Sequence, residues 1–172
     1  MLKSSLLLVF CLMAGLFVAC EKTAPYDSDA QLAIDDAIIV KWIKDNSATF
    51  TKHESGVYYS IGRPGTGDKV IGQDDLLYVQ YRANILGKDS LFSSTLTETD
   101  TLRVMLSAVI PGWQKVVPLI KSGGQIRMII PSTLAYQNRV VSYGNENRQK
   151  IPENSILDFT VSIRKIKYTE SK

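Results

Sequence analysis

The side chains able to attack a bond, hold a metal or shuttle a proton are few in this chain. It holds one histidine, His53, and two cysteines, Cys11 and Cys20. His53 falls among polar residues just before the first expected strand, with nothing nearby to complete a triad, and reads as a surface histidine. The adjacent carboxylates Asp35-Asp36 and Asp74-Asp75 suit a helix surface and a turn better than a metal site. What recurs instead is a series of apolar and aromatic residues: Tyr81, Phe92, Val109, Ile110, Trp113, Tyr136, Ile151 and Phe159. Any one of them alone reads as ordinary core.

The chain of 172 residues, 45% hydrophobic and 22% charged, has the length for one domain with its own core. Its first residues stand apart. Lys3 supplies a positive charge, and Leu6 to Val18 form an apolar run shorter than the ~20 residues a membrane-spanning helix needs, which fits a secretory leader. The stretch Leu16-Phe17-Val18-Ala19-Cys20 resembles a bacterial lipobox, with Phe17 where Leu is usual. The resemblance implies cleavage before Cys20, lipidation of that residue and attachment to a membrane of the cell envelope. Glu21, in place of Asp after the cysteine, favours the outer membrane in systems that sort by that position. With Cys11 removed and Cys20 lipidated, no thiol remains for a disulfide, a zinc site or a nucleophile. Loss of residues 1–19 takes away Lys3 alone and lowers the formal net charge from +3 to +2, too little for nucleic acid as the main partner.

Residues 20–27 read as the lipidated cysteine and a tether containing Pro25, and residues 28–46 as a helix. Ser28 and Gln31 have capping-box spacing, and Ile34, Ile38, Ile39, Trp42 and Ile43 recur at helical spacing, as for a helix packed on the protein's own sheet. In residues 47–172 the helical period gives way to strands. Val57 to Ile61 reads as one, followed by the turn cluster Arg63-Pro64-Gly65-Thr66-Gly67. Leu77, Val79, Tyr81, Ala83 and Ile85 alternate with Tyr78, Gln80, Arg82 and Asn84, and Thr101 to Leu106 is another strand. A short helix presents Trp113, Val116, Val117 and Ile120 on one side; Pro118 should kink or shorten it and Gly123-Gly124 end it. Gln125 to Ile130 and the segment from Leu157 to Ile163 are the last strands, separated by a polar loop, Gln137 to Lys150. Arg164, Lys165 and Lys167 read as solvated surface. Strands, one short helix, then strands give an α+β domain with a mainly antiparallel sheet.

Six blocks then align in order with one family. Val79-Gln80-Tyr81, Leu91-Phe92-Ser93-Ser94, Val109-Ile110-Pro111-Gly112-Trp113, Val117-Pro118-Leu119-Ile120-Lys121-Ser122-Gly123, Ile130-Pro131-Ser132-Thr133-Leu134-Ala135-Tyr136 and Ile151-Pro152-Glu153-Asn154-Ser155 resemble an FKBP-type prolyl isomerase domain over roughly Ser55 to Tyr168. The resemblance implies a twisted antiparallel sheet wrapped around one short helix. It implies Trp113 as the floor of an apolar pocket, with Tyr81, Phe92, Val109, Ile110, Ile151 and Phe159 as walls and Leu102 where the family often has an aromatic residue. The Ile110 N–H and the Tyr136 hydroxyl would donate to the bound peptide. No cofactor or metal is implied, and the partners are proline-containing polypeptides. Two positions depart from the family: Ser93 stands where Asp is usual, and Gln137 where Gly is usual. The expected activity is isomerisation of X–Pro bonds in exported proteins. The alternative from another class is a non-catalytic binding module or chaperone adaptor in the envelope.

Overall fold

The computed structural model describes residues 25–95, 100–143 and 149–169. The segment expected to be a leader, Cys20 and residues 144–148 of the expected loop lie outside the described residues. Helix α1 spans Ser28–Asp45. Its cap lies one residue earlier than the expected capping box. The Asp27 carboxylate accepts from the amides of Asp29 and Ala30 at 3.1 and 3.0 Å, and Gln31 turns instead to Asp35, 2.8 Å away. A charged carboxylate at the positive end of the helix dipole outcompetes the neutral serine beside it.

Nine strands are described: β1 (Thr51–Lys52), β2 (Tyr58–Arg63), β3 (Leu76–Ile85), β4 (Leu91–Ser94), β5 (Leu102–Met105), β6 (Gln125–Ile130), β7 (Val141–Tyr143), β8 (Gln149–Ile151) and β9 (Leu157–Lys167). Among the described residues, seven form one antiparallel sheet in the order β1-β2-β6-β9-β3-β4, with β5 pairing the first half of β3. β7 and β8 form a separate hairpin. That hairpin lies in the segment expected to be loop, and its short strands left no apolar period to read.

The sheet is buried on both faces over part of its area, and the strand alternation divides its residues between two packing partners. Ile126, Met128 and Ile130 of β6, with Leu157, Phe159, Val161 and Ile163 of β9, face the main core. There they meet helix α2 (Pro111–Val116) through Trp113 and Val116, together with Val117 and Ile120. On the opposite face Ile129 packs with Tyr58, Ile156 and Ile39 of α1. The Trp42 and Phe50 rings each lie 5.4 Å from the Arg127 guanidinium, while Asp158 binds the same group. Part of the α1 stripe thus packs on the sheet as expected, but Ile34 and Ile38 remain about half exposed at 54% and 50%. No helix among the described residues is long and apolar enough to cross a membrane.

Two further local expectations need correction. Helix α2 ends at Val116, well before Gly123-Gly124, and a 3-10 turn over Val117–Leu119 follows. Pro118 accounts for this, because it lacks the N–H that would continue the helical hydrogen bonds and its ring crowds the carbonyl four residues earlier. The two glycines instead turn the chain into β6, with Gly123 at φ +77° donating to the Ile163 carbonyl. Asp35 is not on a helix surface: it is fully buried, against Ser132.

Candidate active site

An apolar recess on the α2 side of the sheet is built from four rings contributed by different elements. Tyr81 comes from β3, Phe92 from β4, Trp113 from α2 and Phe159 from β9. Phe159 is the hub. Trp113 meets it nearly edge-on, with centroids 5.4 Å apart at 85°; Phe92 does the same at 5.9 Å and 87°; Tyr81 lies tilted at 6.4 Å. Tyr81 and Trp113 are also edge-to-face at 6.0 Å. Such pairs each contribute about 0.5–1.5 kcal/mol beyond the area they bury, so the cluster holds its own shape.

These rings and their neighbours enclose a cavity of about 310 Å³, lined by Tyr81, Phe92, Ser93, Leu102, Ala108, Val109, Ile110, Trp113, Tyr136 and Phe159. Nine of the ten expected site residues line it. The tenth, Ile151, is 1% exposed and packs in the core beneath, paired with Val141 across the β7–β8 hairpin. Ala108 was missed because a small residue in a 3-10 turn (Leu106–Ala108) carries no pattern in the sequence. Tyr143 of the same hairpin supports Phe92 from outside the cavity, ring to ring at 5.5 Å.

Trp113 is 3% exposed, and its indole N–H meets no acceptor among the described residues, so packing alone holds the ring. Gly112, one residue earlier, lets α2 lie directly on Ile130. Ile110 precedes the helix in extended conformation, at φ −55° and ψ 148°, and its N–H has no partner among the described residues. The loop that presents it is braced by the Gln114 side chain, which donates to the Val109 carbonyl at 2.8 Å and to that of Ser107 at 3.3 Å.

The polar groups of the cavity are few. The Tyr81 hydroxyl and Ser93 Oγ share a hydrogen bond of 2.7 Å. The Tyr136 hydroxyl has its pKa pushed up by burial and by the nearby Tyr81, so it keeps its proton and remains a donor at neutral pH. The turn Ser132–Leu134 leads into Tyr136, and Gln137 follows at φ +58°. That left-handed conformation is where glycine has no steric cost and a side chain has one. Replacing Gln137 with glycine should therefore raise the stability of the fold by about 1 kcal/mol, measurable by denaturant melting. His53 lies elsewhere, bonded to Ser55 through Nδ1 at 2.9 Å and edge-on to Tyr59.

What the arrangement offers is a shaped, mostly apolar recess lined by the Trp113 indole, with two tyrosine hydroxyls and, at Ile110, a backbone N–H without a partner among the described residues. It suits a compact apolar ring flanked by amide groups. Comparison with known proteins agrees. Residues 67–164 match the family model described as FKBP-type peptidyl-prolyl cis-trans isomerase. The chain is 33% identical over 127 residues to a probable FKBP-type isomerase FkpA of Neisseria meningitidis, covering 73% of this chain and 44% of that protein. It is 32% identical over 114 residues to FkpA of Escherichia coli, covering 66% of this chain and 38% of that one. It thus spans less than half the length of these curated relatives. The crystal structure of E. coli FkpA superposes with a TM-score of 0.65 at 26% identity, over 81% of this chain and 62% of that one. The crystal structure of AtFKBP13 superposes with a TM-score of 0.57 at 23% identity, over 69% of this chain and 98% of that one, a likeness of fold. The matched segment contains Tyr81, Phe92, Ser93, Trp113, Tyr136 and Phe159, every ring and hydroxyl that lines the recess, and the chain belongs to the FKBP-type peptidyl-prolyl cis-trans isomerase family.

Proposed function

We propose that the protein is a peptidyl-prolyl cis-trans isomerase acting on proline-containing polypeptides, with the recess around Trp113 as its active site. The observation that carries this reading is the closure of Tyr81, Phe92, Trp113 and Phe159 on a cavity of about 310 Å³. A proline ring lies on the Trp113 face, and the flanking carbonyls accept from the Ile110 N–H and the Tyr136 hydroxyl. The reaction breaks no covalent bond. It rotates an amide against a barrier of about 18–20 kcal/mol. In the twisted state the nitrogen lone pair leaves conjugation and the charge separation of the planar amide falls. An apolar, water-excluding site therefore favours the twisted form over the planar one. Each tenfold of acceleration requires about 1.4 kcal/mol of that preference.

The lipobox-like segment ending at Cys20 supports attachment at the cell envelope, where the clients are proteins folding after export. Uncatalysed X–Pro isomerisation takes roughly tens to hundreds of seconds, long enough to delay such folding.

Ser93 favours a second reading, a binding module that holds proline-containing segments without turning them over. The family's Asp would make a charge-assisted bond to Tyr81 where Ser93 makes a neutral one. Turnover of a proline peptide by the full chain and by its Ser93→Asp variant tests both readings. The isomerase reading expects measurable turnover, raised about fivefold by the carboxylate, equivalent to ~1 kcal/mol. Peptide binding without turnover in either protein would establish the binding module instead.

A further inference from the structure

Helix α1 precedes the family-matched segment, yet one of its side chains reaches the turn that carries Tyr136. Asp35 is 0% exposed. Its Oδ2 accepts from the backbone N–H of Ser132 at 2.7 Å and from the Ser132 hydroxyl at 2.6 Å, and its Oδ1 accepts from the Gln31 side chain at 2.8 Å. Among the described residues no Lys, Arg or His lies within salt-bridge distance of it. A carboxylate placed in the interior with only neutral donors is costly for stability, and it persists where those donors fix a geometry.

Ser132 is the residue through which the turn is tied. Its carbonyl accepts from the N–H of Ala135 at 3.0 Å and from the N–H of Gln137 at 2.8 Å. Tyr136 sits between those two donors, so both of its neighbours are bonded to the residue that Asp35 grips. The far side is tied as well, because the Gln137 carbonyl accepts from the Asn154 N–H at 2.8 Å. Asp35 cannot swing away. Its helix is docked by Ile39 against Ile129, by Trp42 over Arg127, and by Asp36, which accepts from the Tyr58 hydroxyl at 2.8 Å.

We propose that Asp35 is a positioning residue for the active site, holding Tyr136 at the cavity through the Ser132 turn, so that α1 is a working part of the isomerase. This rests on the isomerase reading for its kinetic consequence and on the hydrogen-bond geometry for its structural one. A displacement of about 1 Å in a group that must meet the substrate is enough to lower a rate up to a hundredfold.

The test compares the full chain with D35N, Tyr136→Phe and the double variant, using turnover of a proline peptide and circular dichroism for folded content. D35N is expected to lower kcat/KM about tenfold in the native background and less than about twofold when Tyr136 is already phenylalanine, because the two act through one group. Equal losses in both backgrounds, or no loss from D35N, would overturn the proposal. If D35N does not fold, Ser132→Ala removes a single donor and should show the same non-additivity at smaller amplitude. The Tyr136 ring signals, assigned by NMR of tyrosine-labelled protein, give a readout independent of turnover. They should shift or broaden in D35N, or in Ser132→Ala if that is the variant that folds, while those of Tyr78 stay in place. A native chain without turnover defeats the isomerase reading alone; unchanged Tyr136 signals in the substituted protein defeat the positioning role whatever the turnover.

Discussion

Replacing Trp113 with leucine is expected to lower kcat/KM for a proline peptide by about tenfold to a hundredfold, equivalent to ~1.4–2.7 kcal/mol, in a protein that still folds. Trp113 is 3% exposed, makes edge contacts with both Tyr81 and Phe159, and lines the cavity. Leucine keeps an apolar plug at that point but not a flat one, and a proline ring loses the face it stacks on. Alanine is the less informative substitution. Deleting a buried tryptophan side chain costs about 3–5 kcal/mol. That is a large share of the ~5–15 kcal/mol by which a domain is stable, so lost turnover would be confounded with lost fold. Circular dichroism and a denaturant melt of Trp113→Leu alongside its kinetics separate the two. Unchanged turnover in a folded Trp113→Leu protein would remove this residue, and with it the proposed cavity, from the reaction.

The second large effect is expected at Gly112. A Cβ built there would stand 2.4 Å from Ile130 Cγ2 and 3.0 Å from its Cγ1 and Cδ1. Ile130 is fully buried, and its Cγ2 is fixed to a branched Cβ, so it cannot rotate out of the way. Helix α2 must lift from β6, carrying the adjacent Trp113 with it. Gly112→Ala is therefore expected to destabilise the fold by about 1–3 kcal/mol, although intrinsic helix propensity alone would favour alanine by ~1 kcal/mol. The sign thus decides between packing and propensity. In an Ile130→Ala background the clash is gone, and the same substitution should be close to neutral. A penalty that persists there would mean that something other than Ile130 requires the glycine.

Much of this architecture was legible because its signals are periodic. The alternation from Leu77 to Ile85 identified β3 and its buried face, and Leu77, Val79 and Ala83 are indeed fully buried. Trp113, Val116, Val117 and Ile120 marked one side of a helix and lie together in the core. The recess was legible only through the resemblance of ordered blocks, since no single aromatic residue announces that it faces a cavity rather than a core. Ile151 shows the limit of that reasoning. It holds the expected place in the chain, but one further step of burial puts it behind the lining. The β7–β8 hairpin was not legible because strands of three residues carry too few alternations to stand out. Asp35 was misread for a different reason. Its partner Ser132 is 97 residues away, and a polar residue on an amphipathic helix looks solvated until the fold supplies the donors that bury it.

The position of β9 has a consequence for how the molecule comes into being. This last strand lies between β6 and β3, pairing residues 157–162 with the former and 157–167 with the latter. Until it has been synthesised, the β1-β2-β6 group and the group formed by β3, β4 and β5 have no strand to join them. Neither group buries its apolar faces alone, and contacts this distant in sequence form only after a long loop has closed. The nascent polypeptide should thus emerge from the ribosome without committing to a globular state until β9 is available. Until residues 157–167 have been made it is expected to stay an unfolded thread, the form in which a polypeptide can pass through a narrow pore.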